Sequence, residues 1–164
     1  MNIIIYEMSE AKVSCKFLCE GQISNRKKLF KVALQQAKYG KVLYILKEEL
    51  NELPQLSQDI SVINRHYLKM ITFLYVTNLE ALIEGISTLP DWQNVPSTII
   101  VDDLGEYCDK NNKQNACGVV ALLLDTSHSC ARHLKTNCNL YISINKDLVD
   151  DEYCILLQEL YSVN

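Results

Sequence analysis

Thr98-Ile99-Ile100-Val101-Asp102-Asp103-Leu104 is an apolar run that stops on two carboxylates. Nothing polar alternates within Ile99, Ile100 and Val101, so the run reads as a strand buried on both faces, as at the centre of a parallel sheet. Such sheets gather their ligands at the carboxyl ends of the strands. An aspartate there is suited to organising Mg²⁺ beside bound phosphate. The plainer alternative is an acidic turn in which Asp102 or Asp103 caps the next element.

Outward from this strand, elements of two kinds alternate along the chain. Residues 13–19 and 42–46 read as strands, the second with no polar position and therefore central. Residues 20–25 read as a polar turn. Leu29, Phe30, Ala33, Leu34 and Ala37 recur at helical spacing within residues 26–39, and Gly40 supplies a stop. Residues 48–55 suggest a helical turn or short helix, 68–76 a strand, and 79–89 an amphipathic helix capped by Asn78. Pro90 and Pro96 bracket a loop. Residues 109–115 read as a polar loop, 116–134 as a long helix, and 140–144 as a strand. Residues 150–161 could be helix or strand, with Tyr153, Leu156, Leu157 and Leu160 favouring helix. This alternation predicts one α/β domain over residues 1–164, with a mostly parallel central sheet and helices on both faces.

Composition narrows the function classes. With 164 residues, 48 % hydrophobic and 22 % charged, the chain can bury a real core and does not read as disordered. A net charge of −4 argues against binding nucleic acid through bulk charge alone, although a local basic patch remains open. Seven cysteines, an odd number and partly within apolar runs, suit reduced thiols in a cytosolic or nuclear protein. Cys15 and Cys19 form a CxxxC pair with no second pair at zinc-finger spacing. Cys130 and His133 have no such framework either, so no metal is expected. The start, Met1-Asn2-Ile3-Ile4-Ile5-Tyr6, is too short for a signal peptide and lacks its basic flank. No apolar run approaches membrane-spanning length, and no membrane partner is expected.

The segment between the first strand and first helix can be compared with a phosphate loop, G-x-x-x-x-G-K-[ST]. In that motif the backbone amides and the Lys hold phosphate, and the hydroxyl holds Mg²⁺. Here the slot reads Gly21-Gln22-Ile23-Ser24-Asn25-Arg26-Lys27-Lys28. Gly21 and Lys27 keep their places. Arg26 replaces the second glycine, whose backbone freedom a bulky residue lacks. Lys28 replaces the hydroxyl and would repel the metal rather than bind it. Anion binding could persist through Lys27, Lys28 and the helix dipole. Alternatively, Arg26, Lys27, Lys28 and Lys31 are an ordinary solvated helix face. Glu48, just past the second strand, could activate a water or simply lie exposed.

In this order, these residues resemble RecA-type ATPases, specifically the divergent recombinase paralogues and, among them, the small RecA-like subunits of animal Shu complexes. The likeness is strongest over residues 98–107 (Thr-Ile-Ile-Val-Asp-Asp-Leu-Gly-Glu-Tyr) and 120–126 (Val-Ala-Leu-Leu-Leu-Asp-Thr). It is weaker over residues 17–46 and 139–145. The resemblance implies a RecA-like P-loop core. Gly21, Lys27 and the altered Arg26 and Lys28 would be the phosphate-loop remnant, and Asp102 the Mg²⁺-associated acid. Asn145 would be a polar link between nucleotide state and a DNA-facing loop. ATP and Mg²⁺ would be bound weakly or not at all. A chain ending at Asn164 would be a minimal or trimmed core.

The resemblance further implies a nuclear subunit in a heterodimer with a SWIM zinc-finger protein. That pair would support assembly of a RecA-type recombinase on single-stranded DNA in homologous recombination repair. Two other readings stand beside it: an active DNA-stimulated ATPase using Gly21, Lys27, Asp102 and Glu48, and a protein-interaction domain that binds neither nucleotide nor DNA. Candidate DNA contacts are Lys27 and Lys28, with Arg132, His133 and Lys135 at the end of the long helix. No aromatic residues interleave with them to stack bases. Residues 2–6 are apolar and β-prone, and within residues 1–9 they suggest an added edge strand or a strand given to a partner.

Overall fold

A computed structural model describes residues 10–54 and 65–162. Among these residues, five strands form one all-parallel sheet in the order β1-β5-β4-β2-β3. They are β1 (Val13–Glu20), β2 (Val42–Leu46), β3 (Ile71–Tyr75), β4 (Thr98–Val101) and β5 (Cys138–Asn145). The connecting helices are α1 (Gln22–Gln36), the short α2 (Arg65–Leu68), α3 (Leu79–Ser87), α4 (Lys113–Leu134) and α5 (Asp151–Tyr161). The fold is thus α/β. The expected edge strand at residues 1–9 lies outside the described residues.

Every residue of β2 and β4 is buried. Helices covering both faces of the sheet are the reason. Leu29, Phe30, Ala33 and Leu34 of α1 and its C-cap Ala37 pack with Val42, Tyr44, Leu46 and Ile100 in one core. The alternate residues Leu43, Ile45, Ile99 and Val101 join Leu82, Ile86, Val119, Val120, Leu123 and Leu157 of α3, α4 and α5 in the other. Strand periodicity thus sends successive residues of one run into two separate cores.

The helix starts have local causes. Asn78, Asn112 and Asp150 each accept a hydrogen bond from a first-turn backbone N–H, at 2.9, 3.0 and 2.7 Å. α4 begins three residues earlier than its apolar periodicity indicated because Asn112 caps it within the polar loop. It ends on Lys135, which takes the left-handed conformation at φ 54°. Residues 48–54 are irregular rather than helical, residue 55 lying outside the described residues. The strand expected from residue 68 begins at Ile71, preceded by α2.

The strand order also locates a crevice. After β4 the chain moves to β5 on one side, and after β2 it moves to β3 on the other. The connections therefore diverge from between the carboxyl ends of β2 and β4, which leaves the kind of opening where α/β sheets bind ligands. Among the described residues, no helix is long and apolar enough to cross a membrane.

Candidate functional site

A cavity of about 580 Å³ opens at this crevice. Its walls come from the first turns of α1 (Gln22, Ile23, Arg26, Lys27), the segment after β2 (Lys47 to Glu52, and Pro54), and Asp102 and Glu106 beyond β4.

The β1–α1 junction differs from the sequence expectation. Residues 20–25 do not form a turn. β1 ends at Glu20, Gly21 is the helix N-cap, and α1 is helical from Gln22. The stretch that would form a phosphate loop is therefore mostly helix, with its amides from Asn25 onward committed to helical hydrogen bonds and those of the first turn left without a partner in the helix. Gly21 has φ −64°, a value open to any residue. Its lack of a side chain serves close packing instead, since a Cβ there would lie 3.3 Å from Asp147 Oδ2.

The early helix start depends on Asn25, 1 % exposed. Its Nδ2 donates to the carbonyls of Glu20 (2.9 Å) and Ile144 (3.0 Å), and its Oδ1 accepts from Glu20 N–H (3.2 Å). One amide thus joins the ends of β1 and β5 to the first turn of α1. Sequence reasoning passed over Asn25, because locally Ser24-Asn25 signals only a turn.

Arg26 Nε donates to Asp102 Oδ2 at 2.7 Å. Since β5 lies between β1 and β4, a side chain from the start of α1 must reach past a strand to touch Asp102. An arginine is long enough and a glycine would leave the carboxylate open. Asp102 is 2 % exposed, and its other oxygen accepts from Ser143 Oγ at 3.5 Å. Ser143 Oγ in turn accepts from Asp103 N–H at 2.8 Å. Ser143 had a signal in sequence, as a hydroxyl inside an apolar strand.

The other predicted residues fall in different settings. Lys28 turns to Glu20, which also accepts from Ser24 Oγ, both across short contacts. Lys27 is exposed on the cavity rim. Glu48 is exposed and lines the same cavity, while its neighbour Lys47 pairs with Glu106 at 3.1 Å. Asn145 ends β5 in register with Glu20. Its N–H donates to Asp103 Oδ1 (3.3 Å) and its Oδ1 accepts from Asp147 N–H (3.1 Å), which shapes the turn into α5. Arg132, His133 and Lys135 are exposed at the end of α4, which leads into the amino end of β5. Lys27 and Lys28 lie at the carboxyl ends of the strands. The parallel sheet therefore keeps the two basic groups at opposite ends rather than joining them in one patch. Cys130 and His133 diverge, the thiol buried and the imidazole exposed.

Asp103 stands in the left-handed region at φ 59°, with its Oδ1 bonded to Gly105 N–H (3.1 Å) as well as to Asn145. Burial raises both adjacent carboxyls above the ordinary value of 3.8. Arg26 and Ser143 draw Asp102 part of the way back, and the backbone of Asn145 and Gly105 does the same for Asp103. The folded chain then holds these protons at a pH where the unfolded chain has released them. Their stabilising contribution is complete below the unfolded value and is lost as pH rises through the raised folded values. Denaturant titrations of the wild type and of Asp103→Asn at a series of pH values from 3.5 to 7 check this. The wild type is expected to lose ground against the variant as pH rises, and a constant difference rejects the assignment for Asp103.

No family model matches this chain, and no curated protein matches it at a significant level.

Proposed function

We propose that this chain is a RecA-like adaptor with a silenced nucleotide site. It pairs with a SWIM zinc-finger protein in a nuclear, Shu-like complex and supports assembly of a RecA-type recombinase on single-stranded DNA. The parallel sheet, the glycine at the β1–α1 junction and the aspartate after β4 are what support a RecA-like core. The observation that carries the silencing is the Arg26–Asp102 pair. Asp102, the acid that would attend Mg²⁺, already holds a fixed cation. Helical residues replace the loop that would hold phosphate, and Lys28 stands where a hydroxyl would be needed. These residues fit Mg²⁺-ATP poorly, so the reading assigns the chain no hydrolytic step. Its work is then to present surfaces, with Lys27 and Lys28 or the α4 terminus as the DNA-facing candidates.

Co-expression with the SWIM-domain protein tests the partnership. The pair is expected to copurify and to bind a single-stranded oligonucleotide with strong salt dependence. A well-behaved monomer that ignores the partner overturns the reading. Loss of DNA binding on reversing the charge of Lys27 and Lys28 assigns contact to that end of the sheet.

The active ATPase is the second reading, and the open cavity bordered by Lys27, Glu48 and Asp102 favours it. Phosphate release decides between the two. The adaptor reading expects background release, unchanged by Lys27→Ala. Mg²⁺-dependent release that this substitution abolishes favours the ATPase.

A further inference from the structure

Cys19 near the end of β1 and Cys154 in α5 are separated by most of the chain, yet Cys154 belongs to the core cluster that Cys19 packs against, and each thiol perturbs the other. Gln158, one turn further along α5, donates its Nε2 to Cys19 Sγ at 3.4 Å. Thus α5 meets β1, an edge strand among the described residues, through sulfur. All the described cysteines are free thiols.

We infer that Cys19 and Cys154 are a site of reversible oxidation, closing a disulfide that ties α5 to β1. Access selects the thiol that reacts first, and packing selects its partner. Cys19 and Cys117 are the partly exposed thiols, whereas Cys15, Cys130 and Cys138 are 1 % exposed or less. Cys154 is 6 % exposed and lies one helical turn from Gln158, whose amide touches the Cys19 sulfur. Cys15 lies on the same strand as Cys19, four residues away. At about 3.3 Å per residue their Cα atoms stand roughly 13 Å apart, beyond the reach of a disulfide.

The oxidant class is a low-molecular-weight disulfide such as oxidised glutathione. The Cys19 thiol gives up its proton to solvent and its sulfur attacks one glutathione sulfur. The S–S bond of the oxidant breaks, and one reduced glutathione leaves. Cys154 then loses its proton and attacks the Cys19 sulfur of the mixed disulfide, and a second reduced glutathione leaves. In sum, two protein thiols are oxidised to a disulfide and one oxidised glutathione is reduced to two thiols. Burial pushes the Cys19 thiol up to about 12 and raises Cys154 as well, which keeps the exchange slow at neutral pH. The pair is therefore a dithiol under reducing conditions and responds to sustained oxidation.

The bond would close a long loop, the case in which a crosslink restrains the unfolded chain most. It would also fix the residue beside Glu20, whose backbone Asn25 grips at the entrance to the candidate site. The test treats the full chain with oxidised glutathione and then blocks remaining thiols with iodoacetamide. Non-reducing peptide mapping should find a Cys19–Cys154 crosslink. The thermal midpoint should rise by roughly 5–15 °C and return on reduction. Cys154→Ser, verified as folded by circular dichroism, should stop at a Cys19–glutathione adduct and show no rise. A wild type that stops at the same adduct overturns the proposal. So does a crosslink between other cysteines or between chains, or a midpoint that fails to rise with the crosslink formed.

Discussion

Asn25→Ala is expected to destabilise the chain by about 3–5 kcal/mol. The substitution removes two donated bonds and one accepted bond at a position 1 % exposed. It leaves the Ile144 and Glu20 carbonyls and the Glu20 N–H to find other partners, and a buried group left unmade costs about 1–3 kcal/mol. Asn25→Asp keeps the shape but turns a carboxylate oxygen toward two carbonyl oxygens, and should be at least as costly. For a chain of this length the Ala variant's melting temperature falls by about 10 °C or more. Urea unfolding of the two variants measures this directly. A loss under about 1 kcal/mol for Asn25→Ala, smaller than one buried unmade bond, would show that the amide does not hold the β1–α1 junction.

The second large effect belongs to Arg26. Arg26→Ala leaves Asp102, 2 % exposed, without its cation. Removing one partner of a buried pair costs about 3–5 kcal/mol. Here Arg26 keeps 33 % of its side chain in solvent, which screens the pair and lowers the expectation to about 2–4 kcal/mol. The orphaned Asp102 can also respond by taking up a proton. Its already raised value rises further without Arg26, so the variant should recover part of its loss as pH falls toward 5. Arg26→Ala combined with Asp102→Asn removes the unpaired charge and should be more stable at neutral pH than Arg26→Ala alone. Such non-additivity is the signature of a direct pair. Strict additivity in the double-mutant cycle would mean that the 2.7 Å contact contributes no coupling. The same variant bears on function. If Arg26 silences the site by occupying Asp102, Arg26→Gly is the substitution most able to restore metal-dependent nucleotide binding. The helical start of α1 would still withhold a phosphate loop.

The central strands were legible from sequence because burial on both faces leaves an unbroken apolar run. The buried span of β2 coincides with the run at residues 42–46, and β4 with the strand expected at residues 98–102 except for its last residue, Asp102. Asn78 was legible as a cap because a capping side chain meets its own chain three residues on. The β1–α1 junction was not legible in the same way. Gly21, Ser24 and Asn25 carry local turn signals. Asn25 instead bonds to a carbonyl 119 residues away, and that tertiary bond favours helix from Gln22.

For the site, the sequence alone determined which chemical groups are present and which are missing. An aspartate follows a central strand, and an arginine and a lysine stand where a glycine and a hydroxyl would serve a phosphate loop. Only the tertiary structure decided where those groups go. Arg26 and Asp102 are 76 residues apart and meet because parallel pairing brings the strand ends to one edge, within an arginine's reach of α1. The same geometry sends Lys28 to Glu20 and keeps the α4 basic residues at the far end of the sheet. Local periodicity reports which face of an element is buried. Which distant side chain waits at that face depends on strand order and register, and no short window of sequence contains them.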